Sequence, residues 1–274
     1  MQVFSNSRLA PFAILLIFIA GAIFAVKYFP KNVDQGESPS PETPGASEGV
    51  LVDKSLFTER TYRERHDYAV FDVRYPQFKN VSLKANSDIE NLIMQGVSWH
   101  KEASEETWRA RYETQLPGDD VSSLPSENEK YPLSINWTPV QVNSKFVSVL
   151  FIMAGYTGGA HGYENMASFN YDIIGKKEVQ LADLFPGDKN YLTTISLLVK
   201  EDLKTQISKT LGLGEEEGQQ MFESSILPML ALGTEPNLEN FSIFTFTPEI
   251  INFYFPQYQV APYALGSFLV SIPR

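Results

Sequence analysis

Tyr156-Thr157-Gly158-Gly159-Ala160-His161-Gly162-Tyr163 joins an apolar run, Phe146 to Ala154, to a polar alternating run from Glu164 to Tyr171. Glycine adopts positive φ without strain and lets another group approach the backbone closely. Three glycines and a histidine within eight residues therefore mark a tight turn that presents an imidazole ring. A nearly unbroken apolar run suits a strand covered on both faces, and strict alternation suits a strand with one wetter face. The stretch thus predicts two strands meeting at a glycine turn.

Outward from the turn, the same periodicity predicts strands from Leu133 to Thr138, Val140 to Ala154 and Glu164 to Asp172. A turn at Ile174-Gly175-Lys176 and a short strand from Glu178 to Leu181 come next. Upstream, Tyr68 to Tyr75 alternates as a strand that Pro76 ends. Ser87 with Glu90 forms a capping box. Behind it Ile89, Leu92, Ile93, Gly96, Val97, His100, Trp108 and Tyr112 keep helical spacing, which predicts a helix to about Gln115. Downstream, Asp188 is the expected cap of a helix whose stripe is Leu192, Ile195, Val199, Leu203 and Ile207, closed by Gly212 or Gly214. A second helix is expected from about Glu215 to Leu227, ended or kinked by Pro228. The C-terminal part predicts strands from Phe241 to Thr247, Ile250 to Phe255 and Phe268 to Ile272, with a loop through Pro256 to Gly266. Helices and strands come in blocks, which favours α+β with mainly antiparallel sheets.

The N-terminal stretch from Leu9 to Phe29 is almost continuously apolar, and about 20 such residues suffice for a helix to cross a bilayer. A cleaved signal peptide is the competing reading, with Ala20-Gly21-Ala22 as a small-x-small site. Either reading exports the remainder of the chain. Asn32 to Gly49 is rich in Pro, Ser, Glu and Gly, the composition of a tether that cannot bury enough surface to order itself. The expected organisation is a transmembrane anchor in 1–31 and a flexible, disordered linker over 32–52. Beyond the linker, two packed α+β subdomains are expected, a small one over 53–130 and a larger one over 131–274.

Charge and composition narrow the chemistry. The formal net charge is −11, and the three basic residues of the first 31, Arg8, Lys27 and Lys31, have no acids beside them. The remainder stands at 19 basic against 33 acidic residues, or −14. Nucleic acid and anionic lipid need a basic footprint, so neither is an expected partner of the folded part. Cysteine is missing altogether, which removes disulfides, thiolate nucleophiles and cysteine metal sites. The three histidines, His66, His100 and His161, lack the short repeated ligand spacings of a metal site, and no cofactor is expected. His100 falls on the buried stripe of the first helix. His66 sits in the charged stretch Arg63-Glu64-Arg65-His66-Asp67, read as the solvated approach to a strand. His161 has two readings: a general base or ligand-binding group partnered by Glu164, Asp172 or Asp183, or a structural ring that hydrogen-bonds across its turn. No nucleophile elbow or nucleotide-binding glycine loop is present.

Two stretches together resemble a known family. Tyr156-Thr-Gly-Gly-Ala-His-Gly162, with Asn170-Tyr171-Asp172, Gly175-Lys176 and Leu181-Ala-Asp-Leu-Phe185, is similar to the core of an extracytoplasmic bacterial domain of unknown function. Phe253-Tyr-Phe255, Tyr258-Gln-Val-Ala-Pro-Tyr263, Gly266 and Val270-Ser-Ile-Pro273 resemble the ending of that domain. It occurs in lysozyme-sensing RsiV-type anti-sigma factors and beside the catalytic domain of PdaC-type peptidoglycan deacetylases, usually after a smaller α+β partner that residues 57–130 resemble. Gln259 stands where the pattern has an acid. With eight residues ahead of the apolar segment, neither an anti-sigma domain nor a deacetylase domain is expected here.

The resemblance implies a membrane-anchored, extracytoplasmic binding module of the cell envelope whose partner is peptidoglycan or a lysozyme-like protein. A wall hydrolase using His161 with an acidic partner is the alternative from a different class. The candidate ligand-binding residues are Tyr156, Gly158, Gly159, His161 and Gly162 on the turn and Tyr258, Pro262 and Tyr263 on the C-terminal loop.

Overall fold

Strands β4 (Phe146–Gly155) and β5 (Tyr163–Asp172) flank the glycine turn and pair antiparallel throughout, Phe146 opposite Asp172 and Gly155 opposite Tyr163. The computed structural model describes residues 52–112, 130–212, 219–220 and 222–274. The expected anchor and nearly all of the expected linker lie outside these residues. Among the described residues no helix is long and apolar enough to cross a membrane.

The two strands belong to a six-stranded sheet ordered as in the sequence: β1 (Phe57–Arg65), β2 (Ala69–Phe78), β3 (Tyr131–Val142), β4, β5 and β6 (Lys177–Glu178). All neighbours are antiparallel except β2 and β3. A parallel joint needs a long crossover, and helix α1 (Leu83–Tyr112) supplies it. The sheet therefore continues across residue 130. α1 starts four residues before the predicted Ser87, because the hydroxyl of Ser82 accepts the Ala85 N–H at 3.1 Å and serves as the cap. Its predicted end near Gln115 lies outside the described residues. Ile89, Ile93 and Val97 of α1 pack on Phe71, Val73, Leu133 and Ile135 of the sheet, and each fully buried side chain of this kind contributes about 1.5–3 kcal/mol.

β2 does not stop at Pro76 but runs to Phe78. Its ladder with β3 ends at Val73 opposite Ile135, so β3 never calls on the N–H that proline lacks. The predicted strand from Val140 to Ala154 is in fact the end of β3, a hairpin turn and β4. Asn143 Oδ1 accepts the N–H groups of Lys145 at 2.8 Å and Phe146 at 2.9 Å, an Asx turn that breaks an otherwise apolar run. Just before it, the register shifts between Pro139 and Gln141. This bulge turns Gln141 onto the sheet face shared with its partner Ser148 and returns Val142 to the first core.

The C-terminal half holds α2 (Tyr191–Leu211), a π-helical turn (Phe222–Ile226), α3 (Leu227–Gly233) and an antiparallel sheet of β7 (Phe244–Phe246), β8 (Ile250–Phe255) and β9 (Phe268–Pro273). Asp188 does not cap α2; its carboxylate accepts the Asn190 N–H at 2.7 Å and closes the turn ahead of the helix. Gly212 closes α2 at φ 60°, as predicted. Pro228 does not end a helix either. It sits in the first turn of α3, where an N–H has no partner to lose. The start of the helix predicted from Glu215 lies largely outside the described residues. Ile195, Val199, Leu203 and Ile207 of α2 and Leu230 of α3 pack on one face of the small sheet to make a second core. The fold is α+β with mainly antiparallel sheets.

β7 is an edge strand, and its free edge meets the face of β4 and β5. Ser168 Oγ accepts the Phe244 N–H at 3.1 Å and Ser148 Oγ accepts the Phe246 N–H at 2.9 Å. Asn170 accepts from Ser148 Oγ at 2.7 Å and donates to the Phe244 carbonyl at 2.8 Å. Three side chains thus replace the neighbouring strand that an edge would otherwise require. Ser148→Ala leaves the Phe246 N–H and the Asn170 carbonyl without partners, and each such group costs about 1–3 kcal/mol. Urea unfolding is expected to show a loss of roughly 2–4 kcal/mol for Ser148→Ala and about 1 kcal/mol for the less buried Ser168→Ala. Equal small losses would mean that β7 is held by apolar contact alone.

Candidate functional site

The turn and the C-terminal loop meet. His161 is exposed and stacks on Tyr263 with ring centroids 3.8 Å apart and planes 23° from parallel. Its Nδ1 lies 2.7 Å from the Gly162 carbonyl and its Nε2 lies 3.1 Å from the Tyr258 hydroxyl. A carbonyl can only accept, so Nδ1 carries the proton and Nε2 accepts from Tyr258. The Tyr258 ring, 51% exposed, lies 5.6 Å from that of Tyr263. Its phenol is pushed above the ordinary value by partial burial and by Tyr263. Tyr258 stands at φ 69°, a region that a bulky residue occupies only when its surroundings impose it.

The loop is held in place by its neighbours. Val260 and Ala261 are buried in the second core, and Pro262 leads into a single 3-10 turn, Tyr263–Leu265. Gln259 donates to the carbonyls of Gly233 at 3.3 Å and Asn240 at 2.9 Å. An ionised acid at this position could donate to neither. Ser267 donates to Glu164 Oε1 at 2.6 Å and ties the far end of the loop to the start of β5.

The turn is also supported from beneath. Gly158 stands at φ 91°, and a Cβ there would lie 2.5 Å from the methyl of Thr107 and 2.9 Å from the hydroxyl of Tyr131. Tyr156 donates to the Gly159 carbonyl at 2.8 Å and packs edge-on against Tyr131. Gly159 has open space around it. Tyr163 reaches back under Gly155, where its hydroxyl meets Nδ1 of His100 at 2.6 Å, while Nε2 of His100 faces the Tyr131 carbonyl at 3.3 Å. His100 is fully buried, so the histidine predicted on the buried stripe bolts the turn to α1. The sequence held a signal for this platform in the tyrosines 131, 156 and 163, but not for their convergence.

The carboxylates expected as partners of His161 are engaged elsewhere. Glu164 accepts from Ser267, Asp172 takes the Ile174 and Gly175 amides at 2.9 Å each, and Asp183 pairs with Lys177 at 2.9 Å and with the Gln180 amide. His66 lies 2.6 Å from Glu64 and stacks on Tyr68. It is half-buried rather than solvated, since Glu64 also draws in Tyr62 and Lys101. Among the described residues no group of three or more His, Asp or Glu could hold a metal ion.

Comparison with known proteins agrees with this architecture. Residues 62–164 match the family model described as deacetylase PdaC, and residues 182–274 match the model of a protein family of unknown function, DUF3298. The chain is 27% identical over 204 residues to the peptidoglycan-N-acetylmuramic acid deacetylase PdaC of Bacillus subtilis. That match spans 74% of this chain but 37% of the relative. A crystal structure of a DUF3298 family member from Bacteroides fragilis shares the fold, with a TM-score of 0.50 and 19% identity over 79% of this chain and 89% of its own. One from Pseudomonas aeruginosa gives a TM-score of 0.42 at 14% identity, covering 80% and 88% of the two chains.

Burial holds His100 below the ordinary imidazole value, against the raising effect of its bond to Tyr131. Well above the ordinary imidazole value of about 6.5 the ring is neutral in the folded and unfolded chain alike; as pH drops through that value the unfolded chain takes up the proton first, so stability is lost as pH is lowered. The slope reaches at most about 1.4 kcal/mol per pH unit. Urea unfolding at pH 7.5 and 5.5 is expected to show a smaller acid loss for His100→Gln than for the wild type. Equal losses would place the acid sensitivity in other groups.

Proposed function

The folded chain carries an accessory domain of the DUF3298 and PdaC type, and on that premise we propose that it is a cell-wall-associated recognition module that binds wall glycan through His161, Tyr258 and Tyr263. One observation carries the reading: two sequence motifs 97 residues apart assemble an exposed stack of aromatic rings, with one ring held at φ 69°. Strained backbone at an exposed aromatic points to a use for the side chain. Flat rings with polar edges suit the apolar faces and hydroxyl rims of sugars, and the fixed rings lose little entropy on binding. The relative's printed substrate, an N-acetylmuramic acid of peptidoglycan, supports glycan as the ligand class. The apolar Leu9–Phe29 segment supports display on the outer side of the cell membrane.

A basic protein such as a lysozyme is the second reading, supported by the charge of −14 beyond the first 31 residues. The two separate by salt: protein binding driven by charge weakens as ionic strength rises, and stacking on a neutral glycan does not. Hydrolysis by His161 is a further outcome that the same samples report, through released sugar or acetate.

Cosedimentation of the full chain with purified peptidoglycan is expected to saturate without product. Tyr263→Ala and Tyr258→Gly should each weaken it by roughly tenfold or more, the loss expected for a central aromatic anchor. Tyr258→Gly should keep the fold, because glycine takes φ 69° without strain. Unchanged binding in both variants would remove the aromatic cluster from the site. Product formed by the wild type and lost in His161→Ala would replace recognition with catalysis.

A further inference from the structure

A cleft of about 500 Å³ opens where the β3–β4 turn meets Pro248 and Arg274. It lies at the Phe146 end of β4, whereas His161 comes after the Gly155 end. Nine residue steps at about 3.3 Å separate the two ends by roughly 30 Å. We infer that this cleft is a second binding site, for a small carboxylate that carries an O–H or N–H donor beside the acid group.

Gln141 supplies the first reason. Its side chain lines the cleft and is 2% exposed, yet its Oε1 has no hydrogen-bond partner. A buried carbonyl oxygen left without a donor is destabilising, and native proteins rarely retain one without a reason. The bulge between Pro139 and Gln141 is what points the amide here, since regular pairing would have left Gln141 on the first core. Bulges that redirect a side chain are frequent beside binding sites. The oxygen asks for a donor that the protein does not provide.

The cations supply the second reason. Lys145 and Arg274 line the same cleft, and neither is in an ion pair among the described residues. The Arg274 guanidinium lies 5.8 Å above the Phe246 ring, which fixes its position. The acids on adjoining segments are Asp172, occupied by the amides of its own turn, and the exposed Glu249. Two cations at one mouth, neither held by a carboxylate, offer charge-assisted bonds to an anion.

Phe146 and Pro248 add an apolar wall suited to a short carbon skeleton. A hydroxy acid such as a uronic sugar offers the carboxylate and an O–H; an N-acylated amino acid offers the carboxylate and an N–H. Both have the shared chemistry, and both fit a cleft in the usual size range for small ligands. The site stands independently of glycan binding at His161.

The test is titration of the full chain with glucuronic acid and with N-acetylalanine, monitored by NMR. Glucose, N-acetylalanine amide and inorganic phosphate serve as controls. Saturable binding is expected for at least one of the two acids, at least about tenfold tighter than for its uncharged control or phosphate, since the uncharged controls lack the acid group and phosphate lacks a carbon skeleton for the wall of Phe146 and Pro248. The stronger of the two identifies the source as sugar or peptide. Lys145→Ala should weaken that binding several-fold. Gln141→Leu should reduce it by roughly tenfold while the melting temperature stays level or rises, because an apolar side chain of similar shape removes the orphaned oxygen. Binding by neither acid, equal binding of phosphate, or a Gln141→Leu protein that melts lower yet still binds would each overturn the inference.

Discussion

The edge of β7 is the constraint on which the structure turns. A three-residue strand at the rim of a small sheet has N–H and C=O groups that need partners, and the chain meets them with Ser148, Ser168 and Asn170 on the face of the larger sheet. Ser148 and Asn170 are 0% and 6% exposed, so their bonds form away from water, where an unmade bond is most costly. Apolar contact alone would let the small sheet slide over the large one. Directed bonds from fixed strand positions set one register, and the loop between β8 and β9 is thereby carried to the glycine turn.

What the register delivers is a surface made from both halves of the chain. The turn contributes an imidazole that must lie flat, and the loop contributes two tyrosines, one in a backbone conformation it would not choose. Below, Tyr131, Tyr156, Tyr163 and His100 form a platform against α1, so the exposed layer rests on a packed, hydrogen-bonded one. The matches on either side of residue 170 to PdaC and DUF3298 models correspond closely to the two cores, and the site lies where they meet.

Much of this is legible in the sequence because it is local. The glycine turn, the strands beside it, the stripe of α2 and its Gly212 stop come from periodicity and from the one residue type that tolerates positive φ. What escapes depends on single side chains or on distance. One Asn carbonyl at 143 breaks an apolar run that looks like a single strand. Ser82 outcompetes Ser87 as a cap because the turns after it already pack on the sheet. Pro228 sits in the first turn of a helix, although a proline there predicts a stop or a kink, and the bulge that redirects Gln141 has no signature beyond a nearby proline. The acids closest to His161 in sequence are its natural partners on paper, yet space gives it Tyr258 and Tyr263 from the C-terminal loop.

A joint surface is tested most directly by hydrogen exchange of the full chain with and without soluble peptidoglycan strands. Residues 156–163 and 256–267 should gain protection together, over the same range of glycan concentration. Protection confined to one of the two segments, or found only elsewhere in the domain, would contradict a site built from both.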